Sequence, residues 1–275
     1  MNHQLHTLLF AGLVTAPLYG SSYISNFNDL GQGEALNGVD GWGQNASNYN
    51  DGFEDYPLAF GTMIGHSPAA AVGGYYDTVP PEGGNFYAYR QVTMSLATTV
   101  FSMNFAINDS EGFTVGEDVY GTERNRFWIG FTNTSGNELF SLIFDPIAGD
   151  PDPNASSNDL WNVSWSSGGI QSTPKMAIFE SQLYALNLAF TPAGENVNFS
   201  FSLTGTNTMS AGGTLTGLSS AEISQMNIGI SEMAGQFGTN HLAFNGIEVV
   251  PEPSSFLLLG TALAGLMLRR KRLTV

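Results

Sequence analysis

"ENVNFSFSLTG" (residues 195–205) alternates without a break: Val197, Phe199, Phe201 and Leu203 fall on one side, Asn198, Ser200 and Ser202 on the other. A period of two is the signature of a strand with one buried face, because successive side chains point to opposite sides of a sheet. The rhythm recurs in "TVFSMNFAIN" (99–108), which groups Phe101, Met103, Phe105 and Ile107, and in "RNRFWIGFTN" (124–133), which groups Phe127, Ile129 and Phe131. "LYALNLAFTP" (183–192) aligns Tyr184, Leu186, Leu188 and Phe190, and "DLWNVSWSSG" (159–168) aligns Trp161, Val163 and Trp165. "ELFSLIFDP" (138–146) is apolar on both faces, which marks a central strand. Between these runs stand "TSGNE", "SSGG", "TPAGEN", "TGTNT" and "MSAGG", the Gly/Asn/Ser chemistry of tight turns. A short helix is expected near "SSAEISQM" (219–226), capped by Ser219 or Ser220.

Regularly spaced alternating strands with such turns predict an all-β fold, a single antiparallel jelly-roll-like β-sandwich over residues 23–250. The body opens with "YISNFNDL" (23–30) and closes with "NHLAFNGIEVV" (240–250), and these terminal strands are expected to pair. The succession of strands from "FWIGFTN" to "VNFSFSLTG" resembles that of concanavalin A-like and laminin-G-like sandwiches. Residues 26–84 are rich in Gly, Asn, Asp and aromatics and read as long loops around short strands.

Of 275 residues, 42% are apolar, enough for a sizeable core. Cysteine is absent, which removes disulfides, thiolate metal sites and cysteine nucleophiles together. All 24 acidic residues lie at or before Glu252, while four of the eight bases sit at 269–272, so the part before the tail carries four bases against 24 acids, a net of −20. Such a surface repels nucleic acid, whose binding needs a basic patch.

Both ends read as addresses. An apolar run from Leu8 to Leu18 is followed by the small residues Gly20, Ser21 and Ser22. It is too short to span a bilayer and fits a secretory signal peptide over 1–22, although its start carries no Lys or Arg. At the other end "VPEPSSFLLLGTALAGLMLRRKR" (250–272) sets Pro251, Glu252 and Pro253 ahead of a 13-residue apolar run from Phe256 to Leu268, closed by Arg269, Arg270, Lys271 and Arg272. As a helix that run spans about 20 Å against roughly 30 Å of hydrocarbon, a marginal single transmembrane helix, with the bases holding its end in the cytoplasm. These residues resemble the PEP-CTERM sorting signal (251–275). The resemblance implies export through the general machinery, leader removal by signal peptidase and transient anchoring in the inner membrane of a Gram-negative bacterium. It further implies processing by an exosortase and delivery to the cell surface or an extracellular exopolysaccharide (biofilm) matrix.

Signals for catalysis are missing. No nucleophile elbow, phosphate loop, dinucleotide fingerprint or His-Glu-x-x-His occurs, and only His66 and His241 remain once the leader is gone. The expected strands carry almost no acids, whereas a glycosidase needs a close carboxylate pair. A non-enzymatic, structural or adhesive role follows, with a secreted polysaccharide-active enzyme and a ligand-free scaffold as the alternatives. Ca²⁺ is the metal the sequence suggests: "DPIAGDPDPNASSND" (145–159) gathers Asp145, Asp150, Asp152, Asn154 and Asp159 as hard oxygen donors, though Ala155 and Trp161 break the EF-hand pattern. Polysaccharide is the ligand it suggests. Trp42, Tyr49, Tyr56, Tyr75, Tyr76 and Tyr87 lie in Asn/Asp/Gly-rich context and could stack on sugar faces; alternatively these rings tuck over the sheet edges and cap the core.

Overall fold

The computed structural model describes residues 23–25, 27, 36, 38–44, 70–73, 86–92, 94, 98–109, 114–115, 118–119, 126–147, 160–180, 182–219, 222–231 and 240–251. Among them seventeen strands follow in sequence order. The first nine are β1 (Tyr23–Ser25), β2 (Trp42–Gln44), β3 (Ala70–Gly73), β4 (Phe86–Gln91), β5 (Thr99–Asp109), β6 (Thr114–Val115), β7 (Asp118–Val119), β8 (Arg126–Thr132) and β9 (Glu138–Pro146). The remainder are β10 (Leu160–Ser167), β11 (Ile170–Gln171), β12 (Met176–Phe179), β13 (Tyr184–Ala193), β14 (Asn196–Thr204), β15 (Thr208–Leu215), β16 (Gln225–Ser231) and β17 (Asn240–Pro251).

Fifteen of them form two antiparallel sheets, and β6 and β7 pair by themselves. The first runs β1-β17-β5-β13-β14-β15, with β3 also on β17; the second runs β11-β10-β9-β8-β16-β4-β2, with β12 on β10. The alternation read from the sequence sets the inner faces. Phe101, Met103 and Phe105 of β5 stand in register with Leu188, Leu186 and Tyr184 of β13, and all six are buried. Strand β9 lies between β8 and β10, as its two-sided apolar pattern requires.

Phenylalanines from the two sheets interlock. Phe140 of β9 meets Phe190, Phe199 and Phe201 of the first sheet at centroid separations of 6.0, 4.9 and 6.1 Å. Phe131 of β8 meets Phe101 and Phe190 at 4.6 and 5.1 Å, both edge-on. Edge-to-face packing suits the ring quadrupole, and each buried ring contributes about 1.5–3 kcal/mol. This core replaces the disulfides that the protein lacks.

The terminal strands pair as expected, Tyr23 opposite Val249 and Ser25 opposite Ile247. In β17 a bulge between Asn245 and Glu248 shifts the register, and Gly246 takes φ 61 there. Of the short helix expected at 219–226, Ser220 and Ala221 lie outside the described residues, Glu222 is in 3-10 conformation, and Gln225 already belongs to β16. The Ser219 main-chain N–H and hydroxyl both donate to the Glu222 carboxylate, at 2.7 and 3.1 Å, and the backbone enters β16 three residues later. Met226, Ile228 and Ile230, all buried, belong to the inner face of β16. No helix among the described residues is long and apolar enough to cross a membrane; the expected leader (1–22) and anchor (Phe256–Leu268) lie outside the described residues.

Candidate functional site

The second sheet turns an outer face away from the core, and the residues there are those out of phase with the buried set. In "FYAYRQ" of β4, Ala88 is buried, so Tyr87 and Tyr89 point outward; in β8 the buried Phe127 and Ile129 leave Trp128 outward. Strand β16 runs between β4 and β8 and sets Gly229 opposite both Tyr87 and Trp128. With no side chain between them, the two rings meet over Gly229 at 5.6 Å, and Tyr89 joins Tyr87 at 6.2 Å. All three rings are half-buried.

Two more glycines seat this cluster. A Cβ at Gly43 of β2 would lie 2.5 Å from Tyr89 Cζ, and one at Gly130 of β8 would lie 3.1 Å from Trp128 Cε3. Tyr89 and Trp128 therefore lean over bare backbone. A ring seated in this way turns one side to the sheet and leaves part of the other for a ligand.

Polar groups flank the rings. Asn227, 1% exposed, sits between Tyr89 and Gly130 in register; it donates to Thr132 Oγ1 at 3.3 Å and accepts from Gln225, which in turn accepts from Gln91 at 3.1 Å. Beyond β8, Ser164 on β10 is fully buried and accepts from the Gln171 amide at 2.9 Å. Ser141, 2% exposed, has a hydroxyl without a hydrogen-bond partner, next to Gly130 and the Trp128 ring. The exposed Gln91 and half-buried Gln225 amides beside an aromatic cluster are elements of a polyol-binding surface, with Asn227, Ser141 and Ser164 buried behind them.

Charge on this face is sparse. The Asp145 carboxylate accepts from the Arg126 guanidinium through one oxygen and from the Gln171 amide through the other at 3.4 Å. Asp145, expected among the calcium donors, thus has a guanidinium and an amide on its oxygens. Asp150, Asp152, Asn154 and Asp159 lie outside the described residues; among those described, no group of three or more metal-ligating side chains occurs. Glu138, at the far end of β9, is seven residues from Asp145, about 23 Å along a strand.

The expected sugar-stacking rings divide. Tyr87 is on the outer face. Trp42 is a core ring: it is 2% exposed and packs against Phe27 at 6.2 Å and Phe244 at 5.7 Å, so it has no free face, which is the capping alternative. Tyr49, Tyr56, Tyr75 and Tyr76 lie outside the described residues, as do Glu252, Pro253 and the 269–272 bases. Sequence reasoning passed over Tyr89 and Trp128. For Trp128 the signal was the alternation itself, which had already assigned Phe127 and Ile129 to the core.

Strand β17 ends at Pro251, and residues 249–272 match the PEP-CTERM protein-sorting motif. The protein carries a PEP-CTERM sorting signal. No curated protein matches it in sequence. Solved structures similar to it include a lectin from Bauhinia forficata in complex with GalNAc, at 11% identity and TM-score 0.44, covering 86% of this protein and 99% of the lectin. A PL-14 alginate lyase from Aplysia kurodai follows at 10% identity and TM-score 0.39, covering 74% and 88%. A GH131 β-glucanase catalytic domain from Podospora anserina has 14% identity and TM-score 0.43, covering 75% and 81%. At these values the likeness assigns neither a ligand nor an activity. The PEP-CTERM match does point to an exosortase as processing partner and to the cell surface as destination.

Proposed function

We propose that this is an exported surface or matrix protein whose sandwich holds polysaccharide on the outer face of its second sheet. The observation that carries the sorting half is the PEP-CTERM match at 249–272, set where the last strand leaves the fold. Residues 1–22 act as the leader, Phe256–Leu268 as the transient anchor, and an exosortase removes the tail outside the inner membrane. The crossing of successive strand groups between the two sheets supports the jelly-roll-like form.

The binding half rests on Tyr87, Tyr89 and Trp128 leaning over glycine backbone beside an amide row. Among the described residues of β9, the carboxylate spacing favours binding over glycoside hydrolysis. Glu138 and Asp145 are far beyond the roughly 5–10 Å that a catalytic pair needs, and Asp145 is tied to Arg126. A sandwich with four bases against 23 acids, a net of −19, avoids anionic surfaces, so a neutral or weakly charged glycan fits it best.

Replacing Pro251-Glu252-Pro253 by alanines tests the sorting half. The variant is expected to stay in the inner-membrane fraction with its arginines intact, and surface delivery equal to the unaltered protein would refute it.

A further inference from the structure

The sorting motif and the fold overlap by three residues. The match begins at Val249, whereas β17 continues to Pro251. Val249 is 2% exposed and is paired on both sides, with Tyr23 of β1 and Phe101 of β5; Val250 stands opposite Val100 and Pro251 opposite Thr99. At Val249 the head of the motif is thus an interior strand of the first sheet, and Val250, 41% exposed, and Pro251 continue it paired to β5 alone.

An enzyme that cuts a peptide bond must take the residues on either side into its own cleft as extended backbone. Backbone already paired on both flanks, with a buried side chain, is not on offer without local opening of the sheet. From Pro251 to Phe256 there are five steps, at most about 18 Å of extended backbone. Because β1 and β17 are antiparallel with Tyr23 beside Val249, the leader and the sorting tail leave the sandwich at one end.

We propose that β1 and β5 clamp the head of the sorting motif, so that the processing cut falls between Pro251 and Phe256 and the sandwich is processed intact, with its β1-start and β17-end edge turned toward the membrane. This rests on the exosortase reading above. The bond that breaks is a backbone amide C–N bond in that interval. Its acyl carbon passes to water or to an amine acceptor, and the departing tail keeps the nitrogen as a new protonated amino terminus.

Mass spectrometry of surface-released protein from the exporting host tests it. Every mature carboxyl end is expected at residues 251–255, as a free acid or as an acceptor adduct. Inserting Gly-Ser-Gly-Ser between Pro251 and Glu252 leaves the sheet untouched, and the product should retain all four inserted residues, with the cut at the same bond counted from Glu252. The double variant Ile24→Pro/Ser25→Pro removes a ladder-facing N–H from β1 whichever residue donates. It should raise local opening of this edge roughly tenfold, the change that loss of one or two strand hydrogen bonds gives, so that products cut before Pro251 appear that the unaltered protein lacks; their absence from this variant overturns the clamp as well. Ends upstream of Pro251 in the unaltered protein, or a cut inside the insert, overturn the clamp alone. An intact tail still bearing Arg269–Arg272 overturns the processing reading as well.

Discussion

The two outer faces of the sandwich are built from the same alternation and end up chemically unlike. On the first sheet, Ser102, Asn187, Ser202 and Ser210 form one cross-strand row over β5, β13, β14 and β15, with Thr191, Asn198 and Thr214 in a second. These side chains are short and uncharged, and they serve one another: the Thr214 hydroxyl donates to the Asn198 amide oxygen at 2.8 Å. On the second sheet, the outward positions of β4 and β8 carry two tyrosines and a tryptophan, and Gly43, Gly130 and Gly229 sit where larger residues would crowd them. One face is a self-satisfied polar carpet. The other holds rings and amides at the surface, with the partnerless Ser141 hydroxyl buried beneath them.

That contrast depends on a shared core, and breaking the core should erase it. Phe140→Ala removes the ring that touches three phenylalanines of the opposite sheet and should cost about 3–5 kcal/mol in chemical denaturation. Both faces should fail together; a loss under about 1 kcal/mol would mean that the sheets do not depend on this contact. A smaller effect sharpens the contrast from within the ligand face. Asp145→Asn leaves Arg126 without its ion partner at a partly exposed position, where such pairs contribute no more than about 1 kcal/mol. Any rise in melting temperature with Ca²⁺ should survive this change, since Asp145 serves Arg126; loss of a calcium response in Asp145→Asn would restore Asp145 as a ligand.

Much of the fold was legible because burial writes itself as period two. Phe101, Phe127, Phe199 and their neighbours were assigned to the inner face from the sequence, and the pairing of 23–25 with 247–249 followed from the matching ends. Trp42 stayed open between sugar contact and core capping because its Gly/Asn-rich surroundings look like loop, whereas Phe27 and Phe244, distant in sequence, enclose it. The aromatic face stayed hidden for a related reason. Alternation shows that Trp128 and Tyr87 point outward, but only the register of β16 sets Gly229 between them. Cross-strand neighbours are set by tertiary packing, which no single strand records.

The direct test is a tryptophan-fluorescence titration of the mature protein with exopolysaccharide from the exporting host, set beside Trp128→Ala and Ser202→Ala. Saturable quenching or a blue shift is expected in the unaltered protein. Trp128→Ala should weaken binding about thirtyfold, the roughly 2 kcal/mol of a buried aromatic anchor, while Ser202→Ala on the opposite face should change it less than about twofold. Equal binding by Trp128→Ala, or a loss confined to Ser202→Ala, would place the ligand elsewhere and contradict the account.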